Sequence, residues 1–190
     1  MAAPHIMSIL GTTREERAGA GVARWFAEIA DARDDLTHEL ADLRDVDLPF
    51  IRKAKPPGSG EYDEAATGWA EAVGRADGFV FVTAEYNHGY PAVLKNALDH
   101  VYAEWNRKPV AFVSYGSTGG GLRAVEQLRL VAVELQMAPL RHQVAIPRVW
   151  AAFDEHGQPK EPWPGKDADR LLDQLVWWAR ALAAARAGSD

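Results

Sequence analysis

Three stretches of the chain carry residues suited to binding a polar ligand, and the longest reads TAEYNHGYPAVLKNALDH from Thr83 to His100. An apolar run, Phe79 to Val82, precedes it and is typical of a short buried strand. The functional interpretation is a loop that holds the edge of a flat heterocycle through backbone amides and the Asn87 side chain; its residues are Glu85, Tyr86, Asn87 and His88. The alternative is a capped turn in which Asn87 bonds local backbone and the tyrosines pack.

The second stretch is GTTREER, from Gly11 to Arg17, between the first predicted strand and the first predicted helix. Backbone N–H groups at a helix amino terminus attract anions, and the helix dipole adds to that attraction. The hydroxyls of two threonines and the guanidinium groups of Arg14 and Arg17 are donors suited to phosphate. The alternative is a solvated loop in which the two arginines pair with Glu15 and Glu16.

The third stretch is SYGSTGGG, from Ser114 to Gly121, which follows a predicted strand and leads into a helix. Glycines at the end of a strand allow a ligand to approach the backbone closely, although a flexible connector has the same composition. A serine hydrolase would need glycine where Tyr115 stands, and no acid–histidine pair follows in a recognisable context. Ser117 is therefore not predicted to be a nucleophile.

Several other chemistries are excluded or disfavoured by the sequence. The chain has no cysteine, so thiolate metal sites and cysteine nucleophiles are absent, and its six histidines show no HExxH spacing, so no metal site is predicted. There is no GxxxxGK[ST] phosphate loop, and Gly19-Ala20-Gly21 lies too far past the strand for a dinucleotide fingerprint. Among the seven tryptophans, Trp105, Trp150 and Trp163 lie in or beside predicted loops.

Charge and termini limit the partners that the chain is expected to have. With 21 basic and 27 acidic residues, the formal charge is −6, which argues against a general binder of nucleic acid or anionic membranes. The opening MAAPHIMSIL has no basic segment before its apolar run and is too short to span a bilayer, so we interpret it as a strand. A cytoplasmic location is the expectation.

Alternating strands and helices must position the three stretches. The predicted strands are His5–Leu10, Leu36–Leu43, Gly78–Thr83, Pro109–Tyr115 and Leu140–Ile146. The predicted helices are Gly19–Asp31, Tyr62–Gly74, Ala92–Tyr102, a helix from the glycine-rich stretch to Met137, and Asp167–Ala187. Irregular connections are expected at 44–61 and at 147–165. This alternation predicts one α/β domain over residues 1–190: a flavodoxin-like three-layer sandwich with a five-stranded parallel sheet in the order 2-1-3-4-5.

All three stretches follow strands whose ends converge on one ligand in that fold, and together they resemble the NADPH-dependent FMN reductase family, with its azoreductase-, quinone reductase- and chromate reductase-type members. The family's G-S-x-R phosphate loop resembles Gly11–Arg14. Its P-E-Y-N loop with the following L-K-N-A-L-D resembles Glu85–Asn87 and Leu94–Asp99, and its G-G-x-G-G segment is similar to Gly116–Gly120. The resemblance covers residues 5 to about 146.

Two positions depart from the family pattern. Ala84 stands where many members have proline before the glutamate, so the loop is expected to be less rigid. Arg17-Ala18-Gly19 stands where many members have Ser-x-Asn on the phosphate, which shifts the expected contacts to Arg14, Arg17 and backbone amides.

The resemblance implies a bound FMN and NADPH or NADH as co-substrate. It implies that the FMN phosphate contacts Thr12, Arg14, Arg17, Ala18 and Gly19. It implies that the flavin ring contacts Glu85, Tyr86, Asn87 and His88 on one side and Tyr115, Gly116, Ser117 and Gly119 on another. The flavin would carry the hydride chemistry, so no catalytic side chain is predicted. Homodimers or homotetramers are also implied.

Three functions are compatible with this interpretation. The first is an FMN-dependent NAD(P)H oxidoreductase that passes electrons to a small acceptor: a quinone, an azo compound, a metal ion or free flavin. The second is a non-enzymatic, flavodoxin-like FMN electron carrier. The third is a flavin-free regulatory or hydrolytic domain. The resemblance favours the enzyme.

Overall fold

The computed structural model describes residues 2–52 and 54–188, and its centre is a parallel sheet. The strands are β1 (His5–Leu10), β2 (Thr37–Asp42), β3 (Gly78–Ala84), β4 (Pro109–Tyr115) and β5 (Ala138–Ile146). They lie in the order β2-β1-β3-β4-β5, and every neighbouring pair is parallel. The predicted flavodoxin-like strand order is confirmed.

Helices connect the strands and cover both faces of the sheet. They are α1 (Ala18–Asp31), α2 (Leu43–Val46), α3 (Glu64–Arg75), α4 (Ala92–Asp99), α5 (Leu122–Glu134), α6 (Val149–Ala152) and α7 (Trp163–Ala187). Short 3-10 turns lie at Pro57–Ser59 and Ala103–Trp105. Within residues 2–52 and 54–188, no helix combines the length and apolarity needed to cross a bilayer.

The two central strands explain why the sheet is covered on both sides. Every residue of β3 and β4 is buried, as expected for parallel strands between two helical layers. Helices α1 and α7 pack on one face, where Phe26 and Leu175 are fully buried. Helices α3, α4 and α5 pack on the other face, where the Trp105 ring lies 4.8 Å from that of Phe79. Trp105 is therefore a core residue.

The connection after β2 is held by a polar side chain of α4 and by that of the residue directly after the helix. Asn96 donates from Nδ2 to the carbonyls of Leu48 and Pro49, at 3.2 and 3.0 Å, and His100 bonds the Pro49 carbonyl at 2.8 Å. These contacts lie on the face of the sheet opposite α1. Lys53, within the predicted connection 44–61, lies outside the described residues.

Apart from shifts of one or two residues at strand ends, short or terminal helical segments account for the main differences from prediction. Helix α4 ends at Asp99 instead of continuing to Tyr102, and a 3-10 turn follows. The predicted loop 147–165 contains α6, and α7 begins at Trp163, where Pro164 suits the first helical turn. A four-residue helix is too short to show a period of 3.6, so the apolar pattern gives no signal for it.

Candidate active site

The register of the sheet brings the three predicted loops to one edge. Leu10 is level with Val82, and Ala84 is level with Tyr115, so β1, β3 and β4 end side by side. Backbone hydrogen bonds continue past the strand ends, from Gly11 N–H to the Val82 carbonyl at 2.9 Å and from Glu85 N–H to the Tyr115 carbonyl at 3.2 Å. The loops therefore leave the sheet already fixed against one another.

A cavity of about 270 Å³ lies between these loops. Its walls are formed by Arg14, Glu15, Glu16, Arg17 and Ala18 after β1, by Ala84, Glu85 and Tyr86 after β3, by Tyr115, Gly116 and Ser117 after β4, and by Val149 and Trp150 after β5. The first three groups are the predicted stretches. The last group was not predicted to take part.

The loop after β1 offers anion-binding groups at the mouth of α1. Helix α1 begins at Ala18, and no side chain caps its amino terminus in the described structure. Its first N–H groups therefore lack the usual intrahelical partners and face the open end of the helix. Arg14 is exposed, and its guanidinium carbon lies 5.8 Å from the centre of the Tyr86 ring, bridging two of the three loops.

Arg17 is held differently from Arg14. Its guanidinium donates to the Thr12 carbonyl and to the Asp42 carboxylate at the end of β2, and its side chain is only 8% exposed. The alternative pairing of these arginines with Glu15 and Glu16 does not form in the part of the chain that the structure describes. Arg17 therefore braces the loop against β2 while also lining the cavity.

Behind the cavity, Tyr115 ties the loop after β1 to the end of β4. Its hydroxyl and the Thr12 hydroxyl are 3.2 Å apart, and both side chains are buried. A methyl group on Gly19 would lie 2.0 Å from the Tyr115 hydroxyl, so only glycine fits at that point of α1. Burial raises the pKa of Tyr115 to about 12, more than the Thr12 hydrogen bond lowers it. Tyr115 is thus a neutral phenol at physiological pH.

The loop after β3 is a tight two-residue hairpin. Tyr86 and Gly89 exchange backbone hydrogen bonds of 2.8 and 3.0 Å around Asn87 and His88. Both central residues have positive φ, 50° and 68°, the pattern of a type I′ turn, which favours glycine at its second central position. Among the hydrogen bonds of the described residues, none uses the N–H groups of Asn87 or His88. Two backbone donors are therefore presented on an exposed loop.

Helix α5 braces this hairpin through two side chains one turn apart. Arg123 donates to the Glu85 carboxylate from its backbone N–H at 3.2 Å and from Nε at 2.7 Å, with a further contact from its guanidinium. Gln127 donates from Nε2 to the His88 carbonyl at 2.8 Å. Burial alone would raise the pKa of Glu85, but the hydrogen bonds and charge of Arg123 outweigh burial and leave this pKa below its ordinary value. Glu85 is a carboxylate whose main partner is within the protein.

The glycine-rich loop is compressed between β4 and α5. Gly121 has φ of +88°, and a methyl group on it would lie 2.7 Å from Cβ of Ser114, so a side chain is excluded both by conformation and by space. Ser114 donates from its hydroxyl to the Gly120 carbonyl at 2.8 Å. This packing leaves the backbone of Gly116 and Ser117 on the cavity side.

Helix α6 is the element of the site that sequence reasoning missed. Backbone N–H groups of Arg148 and Val149 donate to the carbonyls of Ser117 and Gly116, at 3.0 and 3.2 Å, so the segment after β5 is attached to the glycine-rich loop. Trp150 lines the cavity and is still 70% exposed. Its position beside a predicted loop was the one available signal. No sequence signal indicated Arg123 and Gln127, because polar residues are common on the exposed face of any amphipathic helix.

The predicted site residues thus fall into two groups. Those that line the cavity are Arg14, Arg17, Ala18, Glu85, Tyr86, Tyr115, Gly116 and Ser117. The others lie around it: Thr12 and Gly19 contact Tyr115, Asn87 and His88 form the hairpin tip, and Gly119 belongs to the glycine-rich loop.

Comparisons with known proteins identify the family of the chain. The family model described as NADPH-dependent FMN reductase matches residues 4–151. An NAD(P)H-dependent FMN reductase of Schizosaccharomyces pombe is 41% identical over 150 residues, which cover 76% of this chain and 74% of the relative. A quinone reductase of Pseudomonas putida is 30% identical over 159 residues, covering 79% and 81% of the two chains.

A solved structure supports the fold independently. The flavoenzyme NAD(P)H:acceptor oxidoreductase FerB from Paracoccus denitrificans superposes with a TM-score of 0.75 at 20% identity, covering 94% of this chain and 98% of that one. At that identity the likeness concerns the fold, whereas the matched family model spans every segment that lines the cavity. The chain belongs to the NADPH-dependent FMN reductase family.

Proposed function

We propose that the protein is an FMN-dependent NAD(P)H oxidoreductase that passes electrons to a small-molecule acceptor of the quinone class. The observation that carries the proposal is the cavity formed by the loops after β1, β3 and β4, with anion-binding donors at one end and backbone donors at another. Membership of an oxidoreductase family and the quinone reductases among the relatives support it.

The donors of the cavity fit a phosphate monoester at the amino terminus of α1. The uncapped N–H groups of Ala18 and Gly19 and the exposed guanidinium of Arg14 would hold the FMN phosphate. The Thr12 hydroxyl and the Arg17 guanidinium are occupied by Tyr115 and Asp42, so we assign both residues to shaping the loop. Arg17 adds positive charge beside the phosphate without a required direct contact.

The other two loops fit the flat ring of the flavin. Tyr86 and the backbone of the Asn87–His88 turn would bound one edge, and the backbone of Gly116 and Ser117 would bound the other. Glu85 acts through Arg123 and fixes the position of the hairpin. The loop therefore needs no contact from the Glu85 carboxylate to the ring.

When bound, FMN would supply the redox chemistry: it would take a hydride from the nicotinamide and pass the electrons to the acceptor. For a quinone the balance is one NAD(P)H and one proton consumed per hydroquinone formed. The protein would bind the FMN and orient it. We assign no side chain as catalytic, because Glu85 is paired with Arg123 and Tyr115 stays protonated.

Trp150 is positioned to form one wall of the acceptor site. Its large exposed ring stands at the wall of the cavity that Ser117 also lines, and aromatic side chains favour planar aromatic ligands through stacking. We propose that quinones and other flat acceptors use this wall. A homodimeric or homotetrameric assembly and a cytoplasmic location remain predictions from the resemblance and the sequence.

Steady-state assays test the acceptor class. The FMN-loaded protein is mixed with NADPH or NADH and a panel of quinones, azo dyes, ferric complexes and free flavin. The highest kcat/KM is expected for quinones. A panel in which no quinone is reduced, while free FMN or an azo dye is reduced efficiently, would reassign the acceptor.

A further inference from the structure

A second cavity lies directly behind the wall of the first. It measures about 300 Å³ and is lined by Arg148, Ala151 and Ala152 on one side and by Phe153, Lys160 and Trp163 on another. Helix α6 separates the two cavities: Val149 and Trp150 face the first, and the next two residues face the second. Neighbouring residues of one short helix therefore line the two cavities, which share α6 as a wall.

The second cavity is built by an ordered loop. Phe153 pairs with Pro159 as an isolated bridge, and Lys160 N–H donates to the Ala152 carbonyl at 2.9 Å. Within that loop, Asp154 accepts from the backbone N–H groups of His156 and Gln158, both within 3 Å. The backbone positions of Lys160 and of the opposite wall are therefore fixed relative to each other.

The walls combine an aromatic ring with free cationic groups. Trp163 is 37% exposed and lines the cavity beside apolar neighbours. Arg148 and Lys160 are exposed, and neither forms an ion pair with a residue that the structure describes. Glu161 is the acidic residue of the lining, and Asp154 lies near Lys160. Unpaired cations next to an exposed indole suit a ligand that carries both a flat heterocycle and a phosphate.

We propose that this second cavity is the subsite for the 2′-phosphoadenosine end of NADPH, with Trp163 against the adenine and Lys160 and Arg148 on the 2′-phosphate. The proposal rests on the function proposed above, which requires a nicotinamide in the first cavity and hence an adenosine within one dinucleotide length of it. A 2′-phosphate dianion meets two exposed cations that form no ion pair with a described residue, whereas the hydroxyl of NADH leaves them unused. The protein therefore prefers NADPH.

The test is a rapid-mixing measurement of flavin reduction by NADPH and by NADH with the FMN-loaded protein under anaerobic conditions. For Lys160→Gln we expect the apparent Kd for NADPH to rise about tenfold, the loss of one charge-assisted hydrogen bond, with the Kd for NADH and the limiting reduction rate unchanged. Lys166→Gln is the matched control, because Lys166 is exposed in the first turn of α7 and lies outside the lining. The proposal would be overturned if Lys160→Gln changed the apparent Kd for NADPH and for NADH equally, or changed neither.

Two further measurements separate the subsite from the redox function. Titration calorimetry with 2′,5′-ADP is expected to show binding to the unsubstituted protein and about tenfold weaker binding to Lys160→Gln, and absence of binding overturns the subsite. Trp163→Leu is expected to weaken the binding of NADPH and of NADH alike, because both carry adenine. Unchanged affinities for both would contradict stacking of the adenine at this wall. A flavin that neither nicotinamide reduces would refute the proposed function, while the 2′,5′-ADP titration would still report on the cavity.

Discussion

At the scale of single residues, the two arginines of the loop after β1 differ in what they can still give to a ligand. Arg17 is committed to Asp42 and to the Thr12 carbonyl, and its side chain is almost buried. Arg14 is exposed, its guanidinium lies over the ring of Tyr86, and it forms no ion pair with a residue that the structure describes. A guanidinium without a carboxylate partner can bind a phosphate without first losing an ion pair. The phosphate contact is therefore assigned to Arg14.

Arg14→Ala is expected to weaken FMN binding about tenfold or more, because a charge-assisted hydrogen bond contributes roughly 1.5–3 kcal/mol. Fluorescence titration of the apoprotein with FMN measures the change. Arg24→Ala is the matched control, since Arg24 is exposed on α1 away from the cavity. If the two variants have the same FMN affinity, the phosphate lies elsewhere.

The ion pair of Glu85 predicts how the stability of the protein depends on pH. Because its pKa is lowered in the folded protein, its carboxylate stabilises the fold above the ordinary value of 4.5, and this contribution is lost as the pH falls through the lower folded pKa. Glu85→Gln should therefore lower the free energy of unfolding by about 1 kcal/mol near neutrality. The difference in the free energy of unfolding between Glu85→Gln and the unsubstituted protein should disappear as the pH falls below 4.5. Urea unfolding at a series of pH values measures it, and a gap that widens in acid would contradict the assignment.

At the scale of elements, the first turn of α1 is fitted to Tyr115. Gly19→Ala places a methyl group 2.0 Å from the Tyr115 hydroxyl, and we expect a loss of about 1–3 kcal/mol of stability together with weakened FMN binding. In the same helix, a methyl group on Gly21 meets nothing within 4 Å. Gly21→Ala should be neutral or stabilising by up to about 1 kcal/mol. Thermal unfolding and FMN titration of both variants test the pair, and equal behaviour would show that the close approach is unimportant.

Helix α6 sets the shape of the acceptor wall through Trp150. Trp150→Ala is expected to raise the KM for flat quinones about threefold to tenfold, the range of a lost aromatic contact, with a smaller change in FMN affinity. Trp177→Ala serves as the control, because Trp177 is 63% exposed on α7 and lies outside the cavity. Steady-state kinetics with a quinone series would contradict the assignment if both variants had the same KM.

At the scale of the whole molecule, the parts that could be predicted are those with a repeating signal. The apolar runs of β3 and β4 show buried strands, and the alternation of strands and helices leads to the strand order that the structure has. The three loops could be located because strand ends bracket them. Their family motifs lie in the same stretches, and the residues that line the cavity include most of those predicted.

What could not be predicted depends on contacts between residues distant in sequence. Arg17 and Asp42 are 25 positions apart, and Glu85 and Arg123 are 38 apart, so no local pattern indicates either pair. The sequence left Arg17 equally suited to phosphate and to a neighbouring carboxylate. Helix α6 is a single turn without periodicity, and only the folded chain brings Trp150 to the same cavity as Ser117.

The most direct test of the account is anaerobic reduction of the bound flavin. The purified protein is loaded with FMN, freed of excess flavin and mixed with NADPH, or in a second sample with NADH, in the absence of oxygen. The visible flavin absorbance is followed before and after a quinone is added. We expect NADPH to bleach the absorbance at a rate proportional to the protein concentration, and the quinone to restore it. If the protein binds FMN but neither nicotinamide bleaches it, the proposed oxidoreductase activity is wrong, and an FMN electron carrier takes its place.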